Sequence, residues 1–211
     1  MSTFAVVPVK TPLESKTRLS NFAPQERRLL TLAMLQDVLI ALKSSMIDET
    51  VVISPDVNLE NLVGDFDARF IKETQEGLNQ ALSQATNWCL LKGAESVLIL
   101  PADVPLLTTK DVNQMVELSL NGSIVISPSR NGGTNALLRS PPAIIPTFFG
   151  PDSFKKHISR AAAKRLRTKI FVSSNILLDI DSEKDVYRLQ ATGGQTISYR
   201  CLQDIAPIKK E

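Results

Sequence analysis

Short apolar runs of strand length alternate along this chain with longer segments in which apolar residues recur at the helical period. The helical segments carry typical end signals, with Pro24 and Glu26 in one first turn and Gly93 closing another segment. The pattern predicts strands at 4–9, 50–55, 68–73, 96–100, 123–128, 134–140 and near 169–174. It predicts helices at 24–45, 78–92, 108–120 and near 151–166, and a last helix that Asp181 or Ser182 caps.

This alternation predicts an α/β fold with a mainly parallel sheet and helices on both faces. The runs 123–128 and 134–140, joined by "SRNGG", predict an antiparallel insertion. The chain shows no repeat, low-complexity tract or linker, so we predict a single domain over residues 1–211. Ligands of open parallel sheets bind beyond the carboxyl ends of the strands, which makes the residues that follow each strand the candidates for chemistry.

Composition narrows the function classes without choosing one. Hydrophobic residues make up 43% of the chain and charged residues 22%, and the net charge of +2 is too small to indicate nucleic acid or an anionic membrane as a partner. The N-terminus lacks a signal-peptide pattern, so we expect a cytoplasmic protein. Cys89 and Cys201 are far apart, which favours a reduced core thiol at Cys89 over a disulfide framework.

Three aspartates stand out as candidate metal ligands. Asp103 follows the run 96–100 in "LPADVPLL", where Pro101 and Pro105 restrict the backbone on both sides, so its carboxylate suits Mg²⁺ or, alternatively, caps backbone amides. Asp179 and Asp181 would share one face of an extended strand, where they repel each other unless a cation or a strong donor lies between them. Asp181 is also a plausible helix cap. All three together would form a three-carboxylate site.

Cationic and amide donors follow other predicted strands. Lys10, Lys16 and Arg18 lie in the loop after the first strand, which has no glycine-rich phosphate motif but can hold a polyphosphate by charge, unless it is simply a solvated basic loop. The stretch "NGGTNALL" places two glycines before Thr134 and Asn135, which fits either an anion site or a tight hairpin turn.

The stretch "FFGPDSFKKH" places Gly150, Pro151 and Ser153 at a helix entrance, which favours phosphate binding and equally fits ordinary capping. His157, the single histidine, is expected to be a surface or substrate-side donor rather than a general base. The sequence shows no Ser-His-Asp set, Cys-His pair or histidine metal site. Carboxylates for a metal and donors for phosphates remain, a combination that fits phosphoryl-type transfer.

Six motifs in order resemble the 2-phospho-L-lactate guanylyltransferase family of coenzyme F-420 biosynthesis: "VPVKTPLESKTRLS", "EGLNQAL", "LPADVPLL", "GGTNALL", "FGPDSFKKH" and "LDIDSEKDV". The resemblance covers residues 4–188 and implies a Rossmann-type, glycosyltransferase-A-like nucleotidyltransferase fold. Related nucleotidyltransferases carry a glycine-rich loop after the first strand, which the Lys10, Lys16 and Arg18 segment replaces here. That departure favours this family over its sugar and molybdopterin relatives.

The resemblance implies that GTP and 2-phospho-L-lactate form lactyl-2-diphospho-5'-guanosine and pyrophosphate. Phosphoenolpyruvate or 3-phosphoglycerate as the acceptor, or a GTP-binding module without turnover, are alternatives. The implied metal ligands for Mg²⁺ are Asp103, Asp179 and Asp181, and the implied catalytic residues are Lys16, Arg18 and Asp103. The implied nucleotide contacts are Lys10, Lys16, Arg18, Glu76, Gly77, Asn79, Pro101 and Ala102, and the implied acceptor contacts are Thr134, Gly150 and Ser153.

The stretch 140–149 is apolar enough to form a homodimer surface or a packed connecting loop.

Overall fold

A computed structural model describes residues 2–14, 16–192 and 194–205, and it confirms the predicted α/β architecture. The strands are β1 (Thr3–Pro8), β2 (Glu49–Ser54), β3 (Arg69–Lys72), β4 (Ser96–Ile99), β5 (Ser123–Pro128), β6 (Thr134–Ser140) and β7 (Arg167–Ile170). The helices are α1 (Pro24–Lys43), α2 (Glu60–Gly64), α3 (Leu78–Leu91), α4 (Thr109–Glu117), α5 (Ser153–Ala163), α6 (Ser174–Leu177), α7 (Glu183–Thr192) and α8 (Ile197–Ile205).

One sheet contains all seven of these strands, in the order β3-β2-β1-β4-β6-β5-β7. Strand β6 runs antiparallel to β4 and β5, and every other neighbouring pair is parallel. The predicted antiparallel insertion is therefore confirmed. Because β6 is reversed, its amino-terminal end lies at the same sheet edge as the carboxyl ends of the parallel strands. Thr134 and Asn135 thus reach the edge at which ligands of open α/β sheets bind.

Apolar side chains cover both faces of the sheet. Helices α1 and α4 pack on one face through residues such as Leu39 and Met115, and α3 packs on the other through Leu82. Helix α5 covers the β5–β6 end of that second face. A further apolar cluster joins α1, α7 and α8 and includes the buried Ile180. Cys89 is buried and free, as predicted, and burial raises the pKa of its thiol to about 12.

Side-chain oxygens accept backbone amides at two helix starts. The Glu26 carboxylate accepts the Ala23 amide at the start of α1, and Thr108 accepts the Asp111 amide at the start of α4. Helices α2, α6 and α8 were not predicted. The first two are shorter than two turns, too short to show a period, and α8 begins where Asp37 of α1 accepts the amides of Ile197 and Ser198.

The stretch 140–149 is a packed connecting loop rather than an open apolar surface. Ile145 is fully buried against β5 and α5, and Phe149 packs against the same cluster. The buried Arg139 donates a hydrogen bond to the Ile145 carbonyl oxygen at 2.8 Å, which ties the loop to β6. Within the described ranges, every helix is too short or too polar to cross a membrane.

Candidate active site

Two acidic segments meet at the carboxyl edge of the sheet through their backbones. The carbonyl oxygen of Asp103, in the loop after β4, accepts a hydrogen bond from the Ile180 amide at 3.0 Å. Ile180 is fully buried in the cluster that α1 and α7 share, so its neighbours Asp179 and Asp181 flank a fixed anchor. The shared face that an extended strand would give Asp179 and Asp181 does not apply, because residues 178–181 form an irregular segment between α6 and α7.

Lys16 supplies the cation between two of the three carboxylates. Its Nζ lies 2.6 Å from Oδ2 of Asp103 and 2.8 Å from Oδ1 of Asp181, and its side chain is only 9% exposed. Burial alone would lower the pKa of this ammonium, but the charges and hydrogen bonds of the two carboxylates outweigh burial and raise the pKa. Lys16 also has a left-handed backbone (φ 55°), a strained conformation that recurs at functional sites.

Asp179, the third carboxylate, lies near Asp103 and Asp181. Burial raises the pKa of Asp179, and the negative charges of Asp103 and Asp181 raise it further. Its Oδ1 accepts a hydrogen bond from Asn135 at 3.3 Å, and Asn135 also donates to the Ile176 carbonyl oxygen at 2.8 Å. Asn135 was predicted only as an anion donor, and the structure instead uses it to hold Asp179.

The carboxylates fit a hard cation chemically. Oδ1 of Asp103 is buried and has no hydrogen-bond partner within the described chain, and the carboxylates of Asp103 and Asp181 share the single Lys16 ammonium. Oxygen donors of this kind suit Mg²⁺. In the described residues no three Asp, Glu, His or Cys side chains come close enough to hold one metal ion together. The Lys16 ammonium lies where the Asp103 and Asp181 oxygens approach each other.

Neither Asp103 nor Asp181 caps a described backbone amide, which was the alternative role for each. Asp185 accepts hydrogen bonds from the Ser182 amide and hydroxyl at 3.0 and 2.6 Å, so it satisfies the start of α7. Asp181 is left to pair with Lys16. Asp103 likewise directs one oxygen at Lys16 and leaves the other unpaired, so neither oxygen caps a described amide.

Three of the predicted nucleotide contacts, Lys10, Glu76 and Gly77, lie near Glu73, a residue that the sequence did not single out. Burial raises the pKa of the Glu73 carboxyl, a hydrogen bond from the Gly77 amide lowers it, and the charges of Glu76 and Lys10 act in opposite directions. The loops after β1 and β3 therefore meet there. The sequence held a signal for Glu73, since it is the last residue of the predicted strand 68–73 and follows the observed strand β3.

The other predicted nucleotide contacts differ in exposure. Arg18 is exposed in the turn beyond Lys16, and Pro101 and Ala102 are half-buried beside Asp103. Asn79 lies in the first turn of α3, but both polar atoms of its side-chain amide bind the backbone of Phe149, at 2.9 and 3.0 Å. Both polar atoms of the Asn79 side chain are thus engaged by the loop that precedes α5.

The three predicted acceptor residues gather around the hairpin turn between β5 and β6. The Phe154 amide donates to the Gly132 carbonyl oxygen at 3.3 Å, and the Ser153 amide donates to that of Gly150 at 3.2 Å. A Cβ on Gly133 would lie 3.8 Å from the Ser153 hydroxyl, so the start of α5 faces the glycine turn beside Thr134.

Of the two roles expected for His157, surface donor or substrate-side donor, the first is wrong, because its side chain is fully buried in α5. The Nε2 atom accepts the Phe148 amide at 2.9 Å, and Nδ1 lies 3.1 Å from the Thr134 hydroxyl. Burial and the nearby charge of Arg139 lower the pKa of His157 to about 4. The ring is therefore neutral at pH 7. The motif "KKHIS" looked solvent-exposed because the two preceding lysines face outward.

Comparison with known proteins shows the family to which the chain belongs. The family model described as "Guanylyl transferase CofC like" matches residues 3–208. A phosphoenolpyruvate guanylyltransferase from Rubrobacter xylanophilus is 39% identical over 203 residues, which cover 95% of this chain and 98% of that protein. A 2-phospho-L-lactate guanylyltransferase from Methanocaldococcus vulcanius is 34% identical over 203 residues, which cover 95% of this chain and 90% of that protein.

Solved structures show the same fold at low sequence identity. A nucleotidyl transferase from Methanothermobacter superposes with a TM-score of 0.69 at 14% identity, covering 90% of this chain and 96% of that chain. A 4-diphosphocytidyl-2C-methyl-D-erythritol synthase superposes with a TM-score of 0.63 at 16% identity, covering 90% and 97%. The expected nucleotidyltransferase fold is confirmed, and the chain belongs to the CofC-like guanylyl transferase family.

Proposed function

We propose that this guanylyltransferase joins GTP to 2-phospho-L-lactate, forming lactyl-2-diphospho-5'-guanosine and pyrophosphate in coenzyme F-420 biosynthesis. The observation that supports this most directly is the buried Lys16, paired with Asp103 and Asp181 at the carboxyl edge of the sheet. A fixed cation among carboxylates suits a reaction between two anions, in which neutralising charge is the main task.

The chemistry needs no general base. The second pKa of a phosphate monoester is about 6, so the acceptor phosphate is already largely ionised at neutral pH. Its oxygen forms a bond to the α-phosphorus of GTP while the bond from that phosphorus to the β-phosphate oxygen breaks. The electron pair leaves with pyrophosphate. His157, buried and hydrogen-bonded on both ring nitrogens, is accordingly given no part in proton transfer.

Repulsion between the two anions is relieved by this chain's cations. Lys16 would neutralise the β- and γ-phosphates of the leaving group together with the exposed Arg18, with Lys10 as a further cation. Asp103, Asp179 and Asp181 would hold Mg²⁺, which when bound offsets negative charge on the triphosphate. The unpaired buried oxygen of Asp103 supports this assignment.

The two substrates would bind on opposite sides of Asp103. Glu76 and Gly77, together with Pro101 and Ala102, would line the nucleoside side. Thr134, Gly150 and Ser153 would receive the phosphate and carboxylate of the acceptor at the glycine turn and the start of α5, where amide and hydroxyl donors are available.

Phosphoenolpyruvate is the second candidate acceptor, and the 39% identity to the Rubrobacter xylanophilus enzyme favours it. Both acids carry a phosphate beside a carboxylate, so the same donors serve either. Release of pyrophosphate from GTP should be measured with 2-phospho-L-lactate, phosphoenolpyruvate and 3-phosphoglycerate, with and without Mg²⁺. Release with phosphoenolpyruvate alone would change the acceptor, and no release with any acid would contradict the enzyme function in favour of a GTP-binding module.

The proposal also includes a cellular location and an oligomeric state. We expect a cytoplasmic protein and a homodimer. Light scattering coupled to size-exclusion chromatography measures the mass in solution directly. A mass equal to that of one chain would contradict the homodimer.

A further inference from the structure

We propose that Asn79 and His157 are positioning residues that hold the backbone of Phe148 and Phe149 and thereby shape the acceptor subsite at Gly150. The inference rests on the proposed function only in assigning that subsite to the acceptor. The contacts themselves are features of the fold. They come from two helices, α3 and α5, which pack on the same face of the sheet.

Asn79 saturates one residue of the loop. Its Oδ1 accepts the Phe149 amide at 2.9 Å and its Nδ2 donates to the Phe149 carbonyl oxygen at 3.0 Å. A side-chain amide that binds both polar groups of one residue imitates a neighbouring strand, and it leaves no backbone rotation of Phe149 that keeps both bonds. The next residue is Gly150, whose φ of +126° lets the chain turn into α5.

His157 binds the backbone of Phe148, the residue before Phe149, and also contacts Thr134 on the other side of the acceptor subsite. Because Nε2 accepts the Phe148 amide, the neutral ring carries its proton on Nδ1. Nδ1 therefore donates to the Thr134 hydroxyl oxygen, 3.1 Å away. The hydrogen of that hydroxyl is then available to another acceptor. His157 thus makes Thr134 a donor, which is the role that a phosphate or carboxylate ligand requires.

The groups around the His157 imidazole favour its neutral form. The rings of Phe148 and Phe149 pack on it at centroid distances of 5.7 and 5.3 Å, and the side chain is fully buried. The charged group that faces it is the Arg139 guanidinium of β6, which disfavours a second positive charge. A neutral ring can accept the Phe148 amide, whereas a protonated ring cannot.

The kinetic test compares substitutions on one helix. Asn79→Ala removes both hydrogen bonds to Phe149, and Asn87→Ala is the matched control because Asn87 is exposed on α3. With whichever acid the wild-type chain uses, Asn79→Ala should raise KM for that acid about tenfold and change KM for GTP less than about twofold. Asn87→Ala should change neither. An equal or larger rise in KM for GTP would overturn the positioning role and return Asn79 to the nucleoside side.

His157 is tested by whether a substitute side chain keeps its two hydrogen bonds. His157→Gln retains one acceptor and one donor, whereas His157→Leu fills the space without either. The glutamine variant should keep most of the acceptor affinity that the leucine variant loses. Equal losses in both variants would overturn the role, because packing alone would then account for the effect.

Two readouts are independent of turnover. Amide hydrogen exchange of the untagged full chain should become faster at Phe149 in Asn79→Ala and at Phe148 in His157→Leu, and unchanged protection in both would overturn the proposal. Since the chain has one histidine, its ring gives one set of ¹⁵N signals, expected with the proton on Nδ1; a proton on Nε2 would also overturn it. If the wild-type chain released no pyrophosphate, the proposed function would fail while these two readouts still decided the positioning roles.

Discussion

The Asp103 carbonyl oxygen and the Ile180 amide are joined by a 3.0 Å hydrogen bond that links chain segments far apart in sequence. Because Ile180 is fully buried, this bond fixes the distance between the loop after β4 and the segment before α7. The backbone therefore brings Asp103, Asp179 and Asp181 near enough for the charges of Asp103 and Asp181 to raise the pKa of Asp179, although in the described residues no three carboxylates are close enough to hold one metal ion together. Their mutual repulsion is a cost of the fold that a bound cation or the Lys16 ammonium offsets.

Asp103→Asn should reduce turnover by orders of magnitude while leaving the fold intact. The substitution keeps the shape and the Ile180 backbone bond but removes the charge that pairs with Lys16 and is assigned to Mg²⁺. Pyrophosphate release and circular dichroism measure the two effects separately. Asp65→Asn, on an exposed residue after α2, is the control and should behave as wild type. Near-normal activity of Asp103→Asn would remove Asp103 from the metal site.

Lys16→Ala should weaken the use of GTP more than the use of the acceptor acid. The ammonium is buried at the site, and its assigned partners during reaction are the phosphates of the leaving group. Losing a charge-assisted hydrogen bond costs about 1.5–3 kcal/mol, which corresponds to a rise of about tenfold or more in KM for GTP or an equivalent loss in kcat/KM. Steady-state kinetics with each substrate varied in turn measures this. Equal effects on the two substrates would contradict the triphosphate role.

The sequence carried a clear signal for Asp103, because an apolar strand followed by two prolines dictates both its position and its direction. It carried a weaker signal for Asp179 and Asp181, whose close spacing was informative although these residues lie on an irregular segment and not on a strand. Nothing in the sequence indicated that Ile180 binds the Asp103 backbone. A backbone hydrogen bond between distant segments depends on how the whole sheet packs, and it leaves no mark on residue type.

The contacts of Asn79 and His157 could not be inferred from the sequence either. The family resemblance assigned Asn79 to the nucleoside side, and His157 was expected to be a surface or substrate-side donor. The side chains of both bind the backbone of the 148–149 stretch. Polar side chains that bind distant backbone groups look identical, in sequence, to polar side chains that bind substrates. Strand order and helix placement followed from periodicity, whereas these contacts followed only from tertiary packing.

Stability should fall between neutral and mildly acidic pH because His157 is neutral in the fold. Its pKa is lowered from 6.5 to about 4, so the unfolded chain binds a proton below 6.5 that the folded chain does not bind until near 4. The stabilisation is present above the unfolded pKa and is lost as pH falls through this window. Between about pH 7 and pH 5 it amounts to about 2 kcal/mol for one such group.

His157→Gln cannot titrate, so the pH dependence should be compared between the wild-type chain and this variant by urea unfolding at each pH. The wild-type chain should lose about 2 kcal/mol more than the variant over the same range. Carboxylates titrate equally in both proteins and cancel in the difference. Parallel pH profiles of the two proteins would contradict this, because they would show that the pKa of His157 is the same in the folded and the unfolded chain.

Gly133→Ala should damage the hairpin turn on the acceptor side. An added Cβ would lie 2.8 Å from the Ser129 hydroxyl, which accepts the Gly133 amide at 2.9 Å, so Ser129 must rotate away and give up that bond. The free energy of unfolding should fall by about 1–2 kcal/mol, and KM for the acceptor acid should rise more than KM for GTP.

Two further variants separate this clash from a general effect of alanine. Gly64→Ala places a Cβ in open space at the end of α2 and should be neutral or slightly stabilising. The double variant Gly133→Ala with Ser129→Ala removes the hydroxyl that the Cβ would meet, and it should recover part of the acceptor affinity although the amide stays unpaired. If Gly133→Ala alone matched wild type in urea unfolding and in kinetics, the turn would not depend on close approach between Gly133 and Ser129.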